Sequence, residues 1–273
     1  MVLDIKESKK HLLIFIEIGG KMPYIYAMSD IHGYYDIMEQ NLEKINLKDK
    51  GNILVFCGDY IDHGSDSCKV LYRIKDLMEQ YPDQVVAVKG NHEIMFLNFL
   101  EAGYFDIWNI NWLAEDKDFK TINTFISEET KNKIEFLKLV DCLDELVFKT
   151  ANLIKEDIKF KHKDLIHWLK NLPYYYETEK QIFVHAGVDE EAGKWWKITT
   201  TEEIFTGKYP ASFGYFYKDI IAGHIGTYSL KADKNFHGVY WDGMSHYFID
   251  GSVNISGVIP LLMYDLESNK YIY

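Results

Sequence analysis

Three polar clusters, each placed directly after a short apolar run, carry side chains that can bind metal ions. They read Ser29-Asp30-Ile31-His32-Gly33, Gly58-Asp59-Tyr60-Ile61-Asp62-His63-Gly64 and Gly90-Asn91-His92-Glu93. Carboxylate, imidazole and amide groups together form a mixed oxygen and nitrogen donor set that transition-metal ions accept. Asp30 and Asp59 are 29 positions apart, and Asp59 and Asn91 are 32 apart, about the length of one βαβ unit. We therefore expect the three clusters at one edge of a parallel sheet, where α/β proteins bind ligands.

Two isolated histidines later in the chain repeat this arrangement. His185 lies in Phe-Val-His-Ala-Gly and His224 in Ile-Ala-Gly-His-Ile-Gly, so each ends an apolar run and stands beside glycine. A single histidine at a strand end is more often a hydrogen-bonded structural residue. Because several candidate ligands already cluster upstream, we interpret His185 and His224 as further metal ligands.

The hydrophobic pattern predicts the elements that would position these clusters. Apolar runs predict strands at 24–28, 52–57 and 85–88, and helical spacing predicts helices at 34–45 and 67–81. This alternation is typical of an α/β fold with parallel strands. Residues from about 94 to 172 have mostly helical spacing, and shorter apolar runs follow at 182–184, 220–222, 247–249 and 258–264. We predict a domain at 22–273 with a helical insertion at about 94–172, placed to cap one end of the sheet.

Residues 1–21 are interpreted as an N-terminal extension. Its apolar run at 12–16 predicts a short strand and is far shorter than the roughly 20 residues of a membrane-spanning helix. It lacks a small-residue cleavage site, so we do not interpret it as a signal peptide. Gly19-Gly20-Lys21-Met22 could be encoded by a ribosome-binding sequence before a start codon, which gives the hypothesis of a natural start at Met22.

Composition excludes several classes of partner. The chain has 42 acidic and 30 basic side chains, a net charge of −12, without a basic cluster. Nucleic acid and anionic membrane are therefore not expected as partners, because both need grouped lysines and arginines. Three cysteines without a Cys-x-x-Cys pair make a disulfide framework improbable and favour the reducing cytoplasm. The sequence leaves the oligomeric state open.

The ordered set of DxHG, GDxxDxG, GNHE, HAG and GH resembles the metallophosphoesterases of the phosphoprotein phosphatase family, which are calcineurin-like. The bacterial branch is the most similar, namely small Ser/Thr protein phosphatases and symmetrical diadenosine tetraphosphatases. The resemblance covers about residues 23 to 266. It implies an α/β fold in which a β-sandwich is flanked by helices, with a helical insertion.

The resemblance also implies a dinuclear metal centre. Asp30, His32 and Asp59 would hold the first ion, while Asp59, Asn91, His185 and His224 would hold the second. The ions would be divalent or trivalent; manganese is the expected metal in vitro, and iron or zinc also suit these donors. Two carboxylates facing two divalent ions leave a positive site, and a water bridging the ions would become hydroxide near neutral pH and attack phosphorus directly.

By the same resemblance, His92 would be the general acid that protonates the leaving oxygen. Asp62 would hold its ring as imidazolium. General acid assistance of this kind is worth about 10²–10⁴-fold in rate.

The phosphate-binding residues depart from the family pattern. His63 stands where the family has an arginine, and Arg73, the only arginine, lies in a predicted helix away from the motifs. We expect His63 and Asn91 to bind the phosphate, with Lys197 or Lys208 as candidates to replace a second missing arginine. A lysine supplies a point charge rather than a bidentate fork.

Three functions remain as hypotheses. The leading one is a dinuclear metal-dependent phosphomonoesterase that acts as a Ser/Thr protein phosphatase on phosphorylated protein or a small phosphoester. The second is a symmetrical dinucleotide polyphosphate hydrolase, for which the aromatic residues exist but the arginines do not. The third is a non-catalytic metal module that recognises a phosphate-bearing partner.

Overall fold

The computed structural model describes residues 23–273 apart from 104–105, 107–110, 114–115, 117–118 and 141–142. The strand predicted at 12–16 and the proposed start at Met22 lie outside the described residues. In the described part of the chain, none of the helices combines the length and the apolar character that a membrane span requires.

Ten strands are described, in two sheets. They are β1 (Tyr24–Met28), β2 (Ile53–Phe56), β3 (Val85–Ala87), β4 (Tyr175–Glu177), β5 (Gln181–Val184), β6 (Asp219–Ala222), β7 (Tyr240–Trp241), β8 (His246–Phe248), β9 (Leu262–Asp265) and β10 (Lys270–Ile272). The first sheet has the order β10-β9-β1-β2-β3 and the second the order β4-β5-β6-β8-β7. β1, β2 and β3 are parallel, as are β5, β6 and β8, while the remaining strands pair antiparallel. The parallel strands therefore send their carboxyl ends to a common edge in each sheet.

The two sheets pack face to face. Apolar side chains from both inner faces form one buried cluster, among them Ala27, Val55, Phe183, Ile221 and Leu262. This alternation of inward-facing residues is the pattern of a β-sandwich. The α/β sandwich that the sequence resemblance implied is confirmed.

Helices cover the outer faces of the sandwich. Those described in the first two thirds of the chain are α1 (Tyr35–Leu42), α2 (Ser67–Gln80), α3 (Asn91–Glu101), α4 (Lys120–Asn123), α5 (Glu128–Val140), α6 (Leu143–Lys161) and α7 (Lys163–Lys170). Four shorter ones follow, α8 (Trp196–Thr199), α9 (Glu202–Gly207), α10 (Thr227–Leu230) and α11 (Val253–Ser256). Leu71 of α2, Ile154 of α6 and Leu165 of α7 belong to the same buried cluster as Phe56 of β2. The helices of the predicted insertion thus extend the core of the first sheet.

The element boundaries differ from the predictions for local reasons. The helix expected from residue 94 begins at Asn91, because the Glu93 carboxylate accepts the Gly90 N–H at 2.9 Å and caps the first turn. The strand expected from residue 258 begins at Leu262, after a left-handed Gly257 and Pro260. Three short edge strands, β4, β7 and β10, were not predicted; strands of two or three residues are too short for a periodic pattern.

Candidate active site

The predicted ligands follow five parallel strands at their carboxyl ends. Asp30 and His32 follow β1, Asp59 follows β2 and Asn91 begins α3 after β3, whereas His185 and His224 follow β5 and β6 of the second sheet. The structure brings all six together, so both sheets contribute to one site. Their roles as ligands stay a prediction.

The backbone at these residues is locally strained. Asp30, His32 and Asp59 have φ of 52°, 47° and 56°, and Asp62, His63 and His224 have φ of 74°, 64° and 66°. This left-handed region is uncommon for residues other than glycine and costs on the order of 1–3 kcal/mol each where it is populated. Hydrogen bonds between the loops hold it, such as His32 N–H to the Asp59 carbonyl at 3.0 Å. Such strain concentrates at functional sites, because it orients side chains in directions that an unstrained loop does not allow.

Two glycines permit the backbone to approach the carboxylates. A Cβ on Gly90 would lie 2.0 Å from Asp59 Oδ1, and a Cβ on Gly223 would lie 2.0 Å from Asp30 Oδ2. Neither position can accept a side chain without moving a site carboxylate. Because glycine has no Cβ, the backbone just before Asn91 and His224 can lie against these carboxylates.

Asp59 is the centre of the site. Its Oδ2 lies 3.2 Å from His185 Nε2, 3.8 Å from His92 Nε2 and 3.9 Å from His32 Nε2. Asp30 Oδ1 also lies 3.9 Å from His32 Nε2. Asp59 is therefore the carboxylate that two neighbouring ions could share.

Backbone carbonyls set the orientation of the histidine rings. His32 Nδ1–H donates to the Ile61 carbonyl at 2.8 Å, and His185 Nδ1–H donates to the Cys57 carbonyl at 2.9 Å. A carbonyl can only accept, so in the neutral rings the Nε2 lone pair is left for an ion. Metal-binding histidines are usually held by this arrangement.

The donor atoms fall into two groups with a shared member. Asp30, His32 and Asp59 form one, and Asp59, His185 and His224 form the other; within each, the ligand atoms lie within 4.8 Å of one another. Asn91 Oδ1 joins the second group, at 2.9 Å from His185 Nε2 and 3.1 Å from His224 Nδ1. The residues present therefore fit two transition-metal ions with mixed oxygen and nitrogen ligands.

The charges of the site depend on one another. Burial opposes ionisation of Asp59, but the positive charges of His185 and His92 outweigh it and hold the pKa of Asp59 well below its usual range. Burial, followed by the negative charge of Asp250, raises the pKa of Asp30. Burial lowers the pKa of His32 to about 4, which keeps this ring neutral and able to donate a lone pair.

Glu93 fixes the loop that carries Asp59. This fully buried carboxylate accepts the N–H groups of Asp59 at 2.9 Å and Tyr60 at 2.8 Å, besides that of Gly90. Burial, then the charge of Asp59, raises its pKa to about 7. Glu93 thus positions the shared carboxylate through the backbone.

His92 and Asp62 form a hydrogen-bonded pair. His92 Nδ1 and Asp62 Oδ2 are 2.6 Å apart, and His92 Nε2 faces Asp59. Burial disfavours the charged ring, but the charge of Asp59 and the hydrogen bond to Asp62 outweigh this and raise the pKa of His92 to about 9. The ring can therefore hold a proton on the side that faces the predicted ions, as a general acid requires.

Trp112 is a member of the site that the sequence did not reveal. Its Nε1–H donates to Asp62 Oδ2 at 3.0 Å, the same oxygen that His92 contacts, and the indole is 6% exposed. Trp112 comes from the helical segment between α3 and α4, where its sequence neighbours carry no motif. Only the tertiary fold places it against Asp62.

The cations that the sequence offered for phosphate binding are paired with carboxylates. Lys197 is ion-paired with Glu177, Lys208 Nζ lies 2.8 Å from Glu190 Oε1, and Arg73 Nε lies 2.7 Å from Glu39 Oε1. His63 is exposed, with its ring beside those of His32 and His92. An open cleft of about 620 Å³ lies beside Ser65 and Asp66 and includes Lys69 and Lys120 in its lining. Lys120 Nζ lies 3.5 Å from the His63 carbonyl, whereas Lys69 Nζ lies over the Tyr35 ring at 3.5 Å.

The family model for calcineurin-like phosphoesterases matches residues 23–258. The chain belongs to this family. Its members are metal-dependent phosphoesterases, which agrees with the paired donor groups, and the resemblance inferred from the five motifs is confirmed.

Curated relatives carry two different activities in their names. The chain is 35% identical over 85 residues to serine/threonine-protein phosphatase 2 of Escherichia coli (strain K12), a match that covers 31% of this chain and 36% of the relative. It is 31% identical over 168 residues to the symmetrical bis(5'-nucleosyl)-tetraphosphatase of Buchnera aphidicola subsp. Acyrthosiphon pisum (strain 5A), covering 54% of this chain and 56% of the relative. The matches thus span from about a third to just over half of these relatives' lengths.

Solved structures agree on the fold. A protein provisionally assigned as a diadenosine tetraphosphatase has a TM-score of 0.54 at 15% identity, over 92% of each chain. The cold-active protein-tyrosine phosphatase of a psychrophilic Shewanella species has a TM-score of 0.50 at 18% identity, over 90% of this chain and 76% of that one. At these identities the likeness establishes the architecture alone.

Proposed function

We propose that the protein is a dinuclear metal-dependent phosphomonoesterase that removes phosphate from serine or threonine side chains of proteins. The observation that carries this proposal is the His92–Asp62 pair, whose free ring nitrogen faces Asp59 at 3.8 Å. A general acid directed at a shared carboxylate ligand is the arrangement that hydrolysis of an alkyl phosphate needs, because a serine alkoxide is a poor leaving group.

The chain's own residues divide the work. Asp30, His32 and Asp59 would hold one ion, and Asp59, Asn91, His185 and His224 the other. Bound divalent ions would supply Lewis-acid charge that activates water and neutralises the phosphate oxygens. Manganese is our expectation for the active form in vitro.

The remaining groups act on the substrate. His92 gives its Nε2 proton to the leaving oxygen, while Asp62 keeps the ring oriented through Nδ1. His63 and the Asn91 amide contact the phosphate from the rim of the site. A neutral imidazole offers one hydrogen bond where an arginine would offer two, so we expect weak binding of simple monoesters.

A dinucleotide polyphosphate is the second candidate substrate. The Buchnera relative, named for that activity, matches more of the chain than the Escherichia coli phosphatase does. Against it stands the distribution of charge: Arg73, Lys197 and Lys208 are each paired with a carboxylate. A polyphosphate chain needs several unpaired cations along it, which a single phosphoserine does not.

A substrate panel tests the proposal. Purified protein with Mn²⁺ is assayed on a phosphoserine peptide, on p-nitrophenyl phosphate and on diadenosine tetraphosphate. We expect kcat/KM for the phosphopeptide to exceed that for the dinucleotide. The reverse order would establish the second candidate, and binding of phosphate ligands without turnover of any of the three would identify a non-catalytic recognition module.

A further inference from the structure

Three imidazoles meet at the mouth of the site. The ring centroids of His32, His63 and His92 are 4.7 Å, 4.8 Å and 5.5 Å apart, and the rings stand edge to face. One ring nitrogen of each lies within 4.8 Å of those of the other two. This group shares His32 with the group of Asp30, His32 and Asp59, and it exists because His63 occupies its position.

Two of the three rings are already held as zinc ligands usually are. The Nδ1 of His32 faces the Ile61 carbonyl and the Nδ1 of His92 faces Asp62, so both can present Nε2 to an ion. Both Nε2 atoms lie within 3.9 Å of Asp59 Oδ2, which supplies negative charge beside them. Three imidazoles with a fourth position left open form a common tetrahedral zinc site.

We propose that His32, His63 and His92 form an inhibitory zinc site. A zinc ion there occupies the Nε2 of His92, which then has no proton to give to a leaving group. It also takes the one available nitrogen of His32 away from Asp30 and Asp59, so this ion and the first catalytic ion exclude each other. Imidazole-rich sites favour zinc over manganese, which prefers oxygen ligands, so zinc would inhibit a manganese-loaded enzyme.

His63→Asn is the variant that isolates this site. His63 has φ of 64°, and asparagine tolerates this left-handed backbone better than most residues. The substitution removes one of the three imidazoles and leaves the six predicted ligands, His92 and Asp62 in place. His167→Asn is the matched control, since His167 is exposed on α7.

The first experiment is a crystal structure of zinc-soaked protein with anomalous scattering. We expect a zinc peak about 2.0–2.1 Å from a nitrogen of each of the three rings, and no such peak in His63→Asn. A zinc bound only by Asp30, His32 and Asp59, or no zinc on the three rings, would overturn the proposal. This arm does not depend on any enzymatic activity.

The second experiment is kinetic and rests on the phosphatase activity proposed above. Each manganese-loaded protein is titrated with Zn²⁺, and the rate is expressed relative to that variant's own zinc-free rate. The zinc concentration for half inhibition should rise about 10–100-fold in His63→Asn, as for other losses around a metal site, and stay at the wild-type value in His167→Asn. Equal zinc sensitivity in all three proteins would contradict the proposed zinc site. If the protein has no phosphatase activity but the crystals still show zinc on the three rings, only the proposed function is contradicted.

Discussion

His92 lies between two carboxylates that act on its two ring nitrogens. Asp62 accepts from Nδ1 at 2.6 Å, and Asp59 faces Nε2 at 3.8 Å. Together they raise the pKa of the ring to about 9 against the effect of burial. A cation held by Asp59 would oppose the positive charge on the ring and so make the Nε2 proton easier to transfer. The same pair of carboxylates would thus keep the proposed general acid protonated and, with ions bound, favour transfer of its proton.

His92→Asn should therefore lower turnover of a phosphoserine peptide by about 10²–10⁴-fold, because proton donation to the leaving oxygen is lost. The loss should be smaller for p-nitrophenyl phosphate, whose leaving group needs less protonation. Rates on both substrates are measured together with metal content per chain, which should stay at the wild-type value. Equal losses on the two substrates would argue that His92 acts on something other than the leaving group.

At the scale of secondary-structure elements, the helical segment after α3 contributes a side chain to the candidate active site. Trp112 Nε1–H and His92 Nδ1–H donate to the same oxygen of Asp62. The indole also packs on the Phe96 and Phe99 rings of α3 at centroid distances of 5.5 Å and 5.2 Å. Trp112 is therefore a positioning residue, which holds Asp62 while Asp62 holds the ring.

Trp112→Phe should lower kcat for the phosphoserine peptide by about tenfold, the lower end of the cost of losing such an outer partner, with little change in KM. The loss of kcat should be smaller on p-nitrophenyl phosphate, because Trp112 acts through His92 and this leaving group depends less on proton donation. The control is Trp168→Phe: among the described residues the Trp168 indole N–H has no hydrogen-bond partner, so its removal costs packing alone. Matching kinetics for the two variants would mean that the Trp112 hydrogen bond has no catalytic effect.

A second connection between elements is independent of the active site. His246 at the start of β8 lies between Asp242 Oδ2 at 2.9 Å and Glu190 Oε2 at 3.0 Å, and Lys208 contacts Glu190 from the end of α9. Burial disfavours the charged His246 ring, but the hydrogen bond and charge of Glu190, then those of Asp242, outweigh it and raise its pKa. The contacts with His246 and Lys208 lower the pKa of Glu190 against burial. Hydrogen bonds from backbone N–H groups, that of Gly214 first, and then from the His246 ring lower the pKa of Asp242 against burial.

These shifts predict how stability depends on pH. Since the pKa of His246 is higher in the folded chain, its stabilisation is fully present below the unfolded value of about 6.5 and is lost as pH rises through the folded value. Each charge-assisted hydrogen bond is worth about 1.5–3 kcal/mol, so His246→Gln should lower the melting temperature clearly near pH 6. The difference in melting temperature between His246→Gln and the wild type should become smaller toward pH 9. Thermal melts from pH 5.5 to 9 measure this, with exposed His167→Gln as control; a pH-independent difference would contradict it.

Some features of this protein can be predicted from its sequence much better than others. Asp30, Asp59 and Asn91 could be placed at one sheet edge, because each follows an apolar run at βαβ spacing. His185 and His224 could also be recognised as candidate ligands, since each ends an apolar run. That their strands form a second sheet followed only from the family resemblance, since short edge strands such as β4 lack periodicity. The left-handed backbone at His32 and Asp62 is not visible in local propensity, because it is imposed by contacts between loops.

Contacts between side chains far apart in the chain could not be predicted from the sequence. Trp112 lies 50 positions from Asp62, and no local pattern joins them. Lys197 and Lys208 had the right charge for a phosphate, but the fold pairs both with glutamates. Which cation is left for a substrate is decided by packing of the whole chain rather than by residue type.

At the scale of the whole molecule, the site joins the two sheets. Asp30 and Asp59 come from the first sheet, and His185 and His224 from the second. The His224 N–H donates to the Asp30 carboxylate at 3.2 Å, and His185 contacts the Cys57 carbonyl. Ions bound by both sets of residues would therefore hold the sandwich closed at this edge, and their binding would add to the stability of the fold.

Removal of metal should consequently lower the melting temperature of the whole chain. An ion present at 100 times its dissociation constant adds about 2.7 kcal/mol, and 1 kcal/mol corresponds to about 2–4 °C at this size, so we expect a loss of about 5–10 °C per ion when EDTA is added. Asp59→Asn should lose most of this metal-dependent difference if, as proposed, one carboxylate serves both ions. Asp36→Asn, at an exposed position on α1, should retain it. Calorimetry with and without EDTA, alongside metal content per chain, makes the comparison. If Asp59→Asn kept two ions and the full EDTA effect, Asp59 would not be the shared ligand, and the two sheets would not be joined through it.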